Sequence, residues 1–240
     1  MITVSVWYVN FSSFKLRDIK ITPGVIVNAD GSVLYECGDT HVICTATFDS
    51  KTPDWLQGAG WITAEYSMLP ASTNSRVIRE ISKGKKNARA QEIQRLIGRS
   101  LRGCAYLEKM PDISIIVDCD VINADGGTRT ASINGGYIAL ALAIKSRYPS
   151  LLDQKIINPV AAISVGKVNG KIIEDLNYEE DSNAEVDLNI VMNHENQLIE
   201  IQGTGEQGTF SKAELNEMLV VGTNCISKIF EEQNKIIEVS

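Results

Sequence analysis

One transition in the sequence, between residues 113 and 146, constrains the fold more than any other feature. Residues 113–122 are rich in β-branched side chains, which predicts a strand. Asp125-Gly126-Gly127 then breaks the pattern, and apolar residues at helical spacing follow to about Ser146. A strand that passes through glycines into a long apolar helix predicts a sheet with helices packed on it.

Hydrophobic spacing predicts the remaining elements in the same way. Spacings of three and four residues predict helices over 87–107 and 211–233, the second with Ser211 as N-cap and Glu214 in the capping-box position. Alternating or β-branched runs predict strands over 16–27, 32–48, 160–168, 171–174, 186–192 and 197–202, and residues 50–60 and 68–87 are predicted loops. This order predicts an α+β fold of mixed sheets covered by helices, with a β-β-α arrangement occurring twice.

Composition and cysteine usage limit the setting of the chain. Its 240 residues are 44% hydrophobic and 22% charged, which is typical of a soluble globular protein. The longest apolar run, residues 137–144, is far shorter than the ~20 residues that a membrane helix needs, so we expect no membrane span. Five cysteines without a CxxC pair, and only two histidines, argue for reduced thiols in the cytoplasm and against a disulfide framework or a structural zinc site.

The chain contains no Pro- or Gly-rich linker, so we predict that residues 16–240 form a single domain. Residues 1–15 are an atypical N-terminal segment. They are mildly apolar but lack the basic flank and the clear small-residue cleavage site of a signal peptide. The valine, tryptophan and tyrosine side chains of this segment are candidates for an interface.

Charge is distributed unevenly along the chain. The net charge is −7, yet residues 76–102 carry nine basic and two acidic side chains, or +7, so the rest of the chain carries −14. A basic segment on an acidic body indicates a focused anion-binding surface, although a solvated helix face explains the charge equally well. The basic residues are Arg76, Arg79, Lys83, Lys85, Lys86, Arg89, Arg95, Arg99 and Arg102.

The glycines at 126 and 127 also predict a phosphate site. Gly127 lets the backbone approach a ligand, and the first helical turn after it leaves N–H groups unpaired at the positive end of the helix dipole. Thr128 adds a hydroxyl donor, and Arg129 adds a planar fork that matches two phosphate oxygens. The alternative is a glycine turn with a capping threonine. Arg89, at a predicted helix start, opposes the dipole there, and a bound phosphate would offset this small penalty.

Acidic residues in the second half of the chain form a third feature. Asp181 is predicted to lie in a turn, and Asp187 in a strand of period two. Two carboxylates near one phosphate can hold a divalent cation, or one of them can shuttle a proton to the leaving oxygen. Acidic turns are also commonly just solvated, so this signal alone decides nothing.

These features occur together in the ribonuclease PH family, which the chain resembles over about residues 16–230. The most specific segment is Ala124-Asp125-Gly126-Gly127-Thr128-Arg129-Thr130 with the residues just before it. The other matching segments are 31–34, 37–40, 60–70, 89–102, 118–123, 180–182, 202–206 and 210–211.

The resemblance implies the fold, the reaction and the residues that perform it. It implies a ribonuclease PH-like fold of duplicated β-α units and phosphorolytic 3′-to-5′ trimming of precursor tRNA, with inorganic phosphate as co-substrate, nucleoside diphosphates as products and help from Mg²⁺. It further implies a homohexamer built as a trimer of dimers. By residue match, phosphate is held by Arg89, Gly127, Thr128 and Arg129; the catalytic and metal-binding carboxylates are Asp181 and Asp187; and tRNA is contacted by Arg76 and Arg79.

Two departures and one alternative function remain at this point. Family members often have an arginine where this chain has Ala71, which puts one tRNA contact in question, and the family's arginine-rich opening is absent. The alternative is a non-catalytic or mixed-ring RNA-binding subunit of an exosome-like assembly. Such subunits tend to lose the phosphate-site arginines or the carboxylates, and this chain has both sets.

Overall fold

Two β-sheets with helices packed on them form the part of the chain that the computed structural model describes. That part is residues 15–239 without 57, 80, 81, 83, 85 and 86. All but the last residue of the atypical N-terminal segment therefore lies outside the described residues, and so do three lysines of the basic segment, Lys83, Lys85 and Lys86.

The first sheet has five strands in the order β1-β2-β3-β5-β4. They are β1 (Ile19–Pro23), β2 (Gly31–Cys37), β3 (Thr40–Asp49), β4 (Trp61–Met68) and β5 (Ser114–Asn123). Strand β4 runs parallel to β5, whereas the other pairs are antiparallel, so this sheet is mixed. The sequence patterns leave β4 unassigned. The parallel pairing explains the long excursion between β4 and β5, because parallel neighbours need a crossover connection.

The crossover from β4 to β5 contains helix α1 (Ala88–Gly103), and α2 (Thr128–Arg147) and the short α3 (Pro149–Asp153) follow β5. The second half contains the strands β6 (Val160–Val168), β7 (Lys171–Glu174), β8 (Val186–Asn193) and β9 (Leu198–Gly205), and the helices α4 (Tyr178–Ser182) and α5 (Lys212–Val239). Its strands form a second sheet in the order β7-β6-β8-β9, in which every pair is antiparallel.

Helix α2 lies between the two sheets and touches both, which explains its apolar composition. Fourteen of its twenty residues are buried. Against the first sheet, the first residue of β2 comes so close that a Cβ on Gly31 would lie 2.2 Å from the carbonyl oxygen of Ala139. Against the second sheet, the buried Asn134 accepts a hydrogen bond from the Ala162 N–H at 2.8 Å and donates to the Ala162 carbonyl at 3.0 Å. Helix α2 is thereby fixed relative to both sheets.

Helix α5 covers the opposite face of the second sheet and completes a layered α+β structure. Its buried residues Met218, Cys225, Ile226 and Ile229 pack against β6 and β8. The predicted capping box is confirmed: the Glu214 N–H donates to Ser211 Oγ at 3.2 Å, and the Ser211 N–H donates to a Glu214 carboxylate oxygen at 2.7 Å.

The structure confirms most predicted helices and strands and corrects the secondary structure predicted for one site residue, Asp181. The hairpin turn at Asn169-Gly170 has positive φ at both residues, as a two-residue hairpin turn requires. The predicted turn at Asp181 is wrong, because Asp181 lies in helix α4. There, Asn177 and Glu180 form a capping box that stabilises a single helical turn. All five cysteines are free and buried. None of the helices in the described part of the chain is long and apolar enough to cross a bilayer.

Candidate active site

A pocket of about 520 Å³ opens where the start of α2, helix α4 and the second sheet meet the C-terminal end of β4. Its lining includes all six residues predicted to bind phosphate or to act as catalytic carboxylates, which are Arg89, Gly127, Thr128, Arg129, Asp181 and Asp187. The predicted tRNA contacts lie outside it. Arg79 lines a neighbouring pocket of about 260 Å³, whereas Arg76 lines neither. Both arginines are exposed.

The glycine loop, residues 125–127, forms one wall of the pocket just before α2. Gly126 and Gly127 have φ values of +71° and +61°, which L side chains rarely adopt. A Cβ on Gly126 would lie 2.3 Å from the Leu176 carbonyl oxygen, so glycine is required there by space as well. Gly127 is the N-cap of α2 and makes no side-chain cap, so a capping threonine is the wrong interpretation of this motif. With no acidic residue in its first turn, the helix presents N–H groups to the pocket.

Thr128 is held by a tyrosine from the first sheet. The buried Tyr66 hydroxyl lies 3.0 Å from Thr128 Oγ1, which fixes the side chain of the first residue of α2. Burial raises the pKa of Tyr66, and the hydrogen bond to Thr128 and the charges of Arg89 and Arg129 oppose that rise. Both arginines therefore lie within electrostatic reach of the Tyr66–Thr128 pair.

The two arginines approach the pocket from different helices. Arg129 follows the glycine loop, and its Nη1 donates to Gln202 Oε1 of β9 at 2.9 Å. Gln202 Nε2 in turn donates to the Glu92 carboxylate of α1 at 2.6 Å, so a two-step chain orients the Arg129 guanidinium. Arg89 is an exposed residue of the first turn of α1, which Asn87 caps by accepting the Arg89 N–H at 3.0 Å.

The two carboxylates face these arginines from α4 and β8. Burial raises the pKa of Asp181, whereas Arg129 and Arg89 lower it. Burial and the charge of Asp181 both raise the pKa of Asp187, against Arg129 and a weak hydrogen bond from Asn189. Both carboxyls therefore hold a proton to higher pH than an exposed aspartate, which suits a group that donates a proton.

This pair is also the place where a divalent cation fits. Among the described residues, no group of three or more His, Cys, Asp or Glu side chains could hold a metal ion. Mg²⁺, however, commonly binds through one or two carboxylates together with substrate phosphates, and Asp181 and Asp187 supply two carboxylates beside the arginines. The donor set therefore fits Mg²⁺ when phosphate is present.

Sequence reasoning does not single out Tyr66 or Gln202. Both lie inside segments that match the ribonuclease PH family, 60–70 and 202–206, and this was the signal that could have identified them. Their partners, Thr128 and Arg129, are 62 and 73 residues away, so only the folded structure pairs them.

Family models match both halves of the chain. The first domain of the 3′ exoribonuclease family matches residues 15–145, and the second matches residues 158–225. The chain belongs to the 3′ exoribonuclease family. Its relatives within the family include ribonuclease PH of Neisseria meningitidis serogroup B, which is 50% identical over 230 residues, or 94% of this chain and 95% of the relative. Ribonuclease PH of Bacillus pumilus is 50% identical over 227 residues, covering 92% and 94%.

Solved structures show the 3′ exoribonuclease fold at lower sequence identity. The crystal structure of rice (Oryza sativa) Rrp46 matches with a TM-score of 0.75 at 19% identity, covering 93% of this chain and 96% of that one. A chain of the Archaeoglobus fulgidus exosome with RNA bound to the active site matches with a TM-score of 0.75 at 21% identity, covering 91% and 89%. These likenesses confirm the predicted fold.

Proposed function

We propose that this chain is a phosphorolytic 3′-to-5′ exoribonuclease that trims 3′ extensions of precursor tRNA, with inorganic phosphate as co-substrate. The observation that carries the proposal is the convergence of two arginines, an open helix start and two carboxylates with raised pKa values on one pocket. The near 50% identity to curated ribonuclease PH proteins over almost the whole chain supports the same reaction.

Phosphate is held by Arg89, Gly127, Thr128 and Arg129. The attacking phosphate and the RNA phosphodiester are both anions, so bringing them together requires positive charge and fixed donors. The arginines supply charge-assisted hydrogen bonds, and the backbone N–H groups at the start of α2 add donors that are already oriented. Tyr66 contributes indirectly because it fixes the Thr128 hydroxyl.

The carboxylates act on the leaving group. A phosphate oxygen forms a bond to the phosphorus of the last phosphodiester, the bond from that phosphorus to the 3′ oxygen breaks, and a nucleoside diphosphate leaves. The 3′ oxygen of the shortened RNA must gain a proton, and in this proposal Asp181 or Asp187, both of which line the pocket, delivers it. Mg²⁺ bound by the same two residues would neutralise charge on the transferring phosphoryl group.

RNA reaches the pocket along the basic segment. Arg76 and Arg79 are exposed in the loop that leads to α1, and Arg79 lines the adjoining pocket together with Arg89. Contacts of arginine with the RNA backbone give affinity without sequence readout, which suits an enzyme that removes successive nucleotides.

The proposal extends to the assembly and setting of the enzyme. Residues 16–240 act as one domain, because one of the apolar clusters joins the first sheet to Val160, Ala162 and Val191 of the second. The proposed assembly is a homohexamer, a trimer of dimers, for which the exposed Leu198 and Ile201 on the edge strand β9 are candidate subunit contacts; mass measurement in solution tests it. Five free thiols support a cytoplasmic location.

The direct test is to supply an RNA with a 3′ extension, Mg²⁺ and either orthophosphate or none. We expect nucleoside diphosphates to be released only when orthophosphate is present. Release of nucleoside monophosphates, or no shortening at all, would refute phosphorolysis. RNA binding without shortening would favour the alternative of a non-catalytic ring subunit.

A further inference from the structure

A partly buried arginine outside the substrate pocket connects three segments behind the glycine loop. Arg17 Nε and Nη2 donate to the two carboxylate oxygens of Asp175 at 3.0 and 2.7 Å, and the Arg17 N–H adds a third bond to the same carboxylate at 2.9 Å. Arg17 Nη1 donates to the Asp125 carbonyl oxygen at 2.6 Å. One side chain therefore joins the segment before β1 to residues more than a hundred positions away.

The carboxylate partner is held as tightly as the arginine. Asp175 is 4% exposed and has a φ of +52°, a conformation uncommon for a residue other than glycine. Its N–H donates to the Ser164 carbonyl of β6 at 2.8 Å, and Cys37 Sγ lies 3.4 Å from one carboxylate oxygen. Although burial lowers the pKa of Arg17, the hydrogen bonds and charge of Asp175 outweigh it and raise that pKa, so Arg17 is always charged.

The arginine reaches the phosphate-binding side through the glycine loop. Besides its bond to the Asp125 carbonyl, Arg17 Nη1 lies 3.8 Å from the Asp125 carboxylate. Arg17 Nη2 lies 3.2 Å from the position that a Cβ on Gly127 would occupy. Thr40 Oγ1 also donates to the Gly126 carbonyl at 2.6 Å, so side chains from two different segments hydrogen-bond to the backbone of the loop.

The same contacts reach the acidic helix α4. Asp125 Oδ1 accepts the N–H of Tyr178, the first residue of α4, at 3.0 Å. The backbone of Leu176 and Asn177, between Asp175 and α4, touches Gly126 so closely that no side chain fits between them. Asp181 lies three residues after Tyr178 in this helix. The glycine loop and the helix that carries Asp181 are thus fixed to each other through Asp125 and Asp175.

We propose that Arg17, Asp125 and Asp175 form a clamp that sets the spacing between the phosphate-binding start of α2 and the Asp181 carboxylate. They are positioning residues, because neither Arg17 nor Asp175 lines the substrate pocket. This inference rests on the proposed function, and two of its residues, Arg17 and Asp175, lie outside the short sequence segments that carry the family resemblance. A buried ion pair gains little stability over uncharged residues of similar volume, so its use here is to orient the loop.

The test compares Arg17→Lys with the double variant Arg17→Met/Asp175→Asn. Arg17→Lys keeps the charge but loses the fork and with it the bond to Asp125. The double variant removes both charges together, which is often tolerated by folding, and asparagine accepts positive φ. The control is Lys167→Met, which breaks ion pairs with Glu214 at 2.7 Å and Glu185 at 3.5 Å; none of these three residues lines the pocket.

In both clamp variants we expect the KM for phosphate to rise at least tenfold and kcat to fall, while RNA affinity stays within twofold and the control keeps the phosphate KM of the parent chain. A purely structural role would lower the melting temperature and the active fraction without moving the phosphate KM. A folded double variant with an unchanged phosphate KM, or a double variant that cannot fold, would overturn the clamp. If the parent chain itself neither binds orthophosphate in calorimetry nor releases nucleoside diphosphates, the proposed function fails instead.

Discussion

Gln202 gives the sharpest prediction about the phosphate pocket, because it orients Arg129 without lining the pocket itself. Its Oε1 accepts Arg129 Nη1 at 2.9 Å, and its Nε2 is held by Glu92 at 2.6 Å. Gln202→Met keeps the length of the side chain but removes both hydrogen bonds. The Arg129 guanidinium then loses its fixed orientation while its charge remains beside the pocket.

The size of the effect follows from the hydrogen bond that is lost. A hydrogen bond to a charged group contributes ~1.5–3 kcal/mol, and because Arg129 is only partly buried, water can replace part of it. The lower end, ~1.5 kcal/mol, corresponds to about a tenfold change in an equilibrium constant. We therefore expect the KM for phosphate to rise about tenfold, while kcat at saturating phosphate changes much less.

The assay is the rate of nucleoside diphosphate release over a range of phosphate concentrations at saturating RNA. Gln197→Met serves as the matched control, since Gln197 bonds only to the nearby Asn193 among the contacts of the described residues. An unchanged phosphate KM in Gln202→Met, or an equal rise in the control, would refute the view that Gln202 orients Arg129.

Three further predictions concern the other parts of the site. Tyr66→Phe removes the hydroxyl 3.0 Å from Thr128 Oγ1. We expect the phosphate KM, measured by kinetics, to rise about three- to tenfold and the free energy of unfolding, measured with denaturant, to fall by ~1 kcal/mol. An unchanged KM would exclude a positioning role for Tyr66. Asp187→Asn is expected to lower kcat by at least ~10² while RNA binding persists. The raised pKa of Asp187 also means that its ionised form destabilises the native state at pH values above the ordinary pKa of 3.8. Asp187→Asn should therefore have a higher melting temperature than the parent chain at pH 7, and the difference should vanish as the pH falls toward 3.8. Equal melting temperatures at pH 7 would contradict this. Arg76→Ala/Arg79→Ala should weaken RNA binding and reduce the slope of log Kd against log salt by about 1–2, whereas an unchanged slope would place the RNA elsewhere.

Local chemistry explains which parts of the structure could be predicted from the sequence. The glycine loop, the capping box at Ser211 and the hairpin at Asn169-Gly170 each depend on residues within a few positions of one another, and all three appear where their residue types predict them. The resemblance to the ribonuclease PH family predicts that Arg89 and Arg129 share one phosphate site, and both line the same pocket.

The remaining features depend on contacts between distant segments. Arg17 looks like an ordinary surface arginine in the sequence, because its partners Asp125 and Asp175 are 108 and 158 residues away. The sequence predicts a turn at Asp181 because a single capped helical turn is too short to show helical periodicity. The sequence pattern does not predict strand β4, although its buried Ile62, Ala64 and Tyr66 alternate, because the small Ala64 and the charged Glu65 weaken the β pattern.

The most direct test of the account is a crystal structure of this chain grown in orthophosphate. The account predicts a tetrahedral anion at the start of α2, with the guanidinium groups of Arg89 and Arg129 directed at it and the Thr128 hydroxyl within hydrogen-bond distance. Guanidinium groups that turn away from each other, with no anion between them at saturating phosphate, would contradict it.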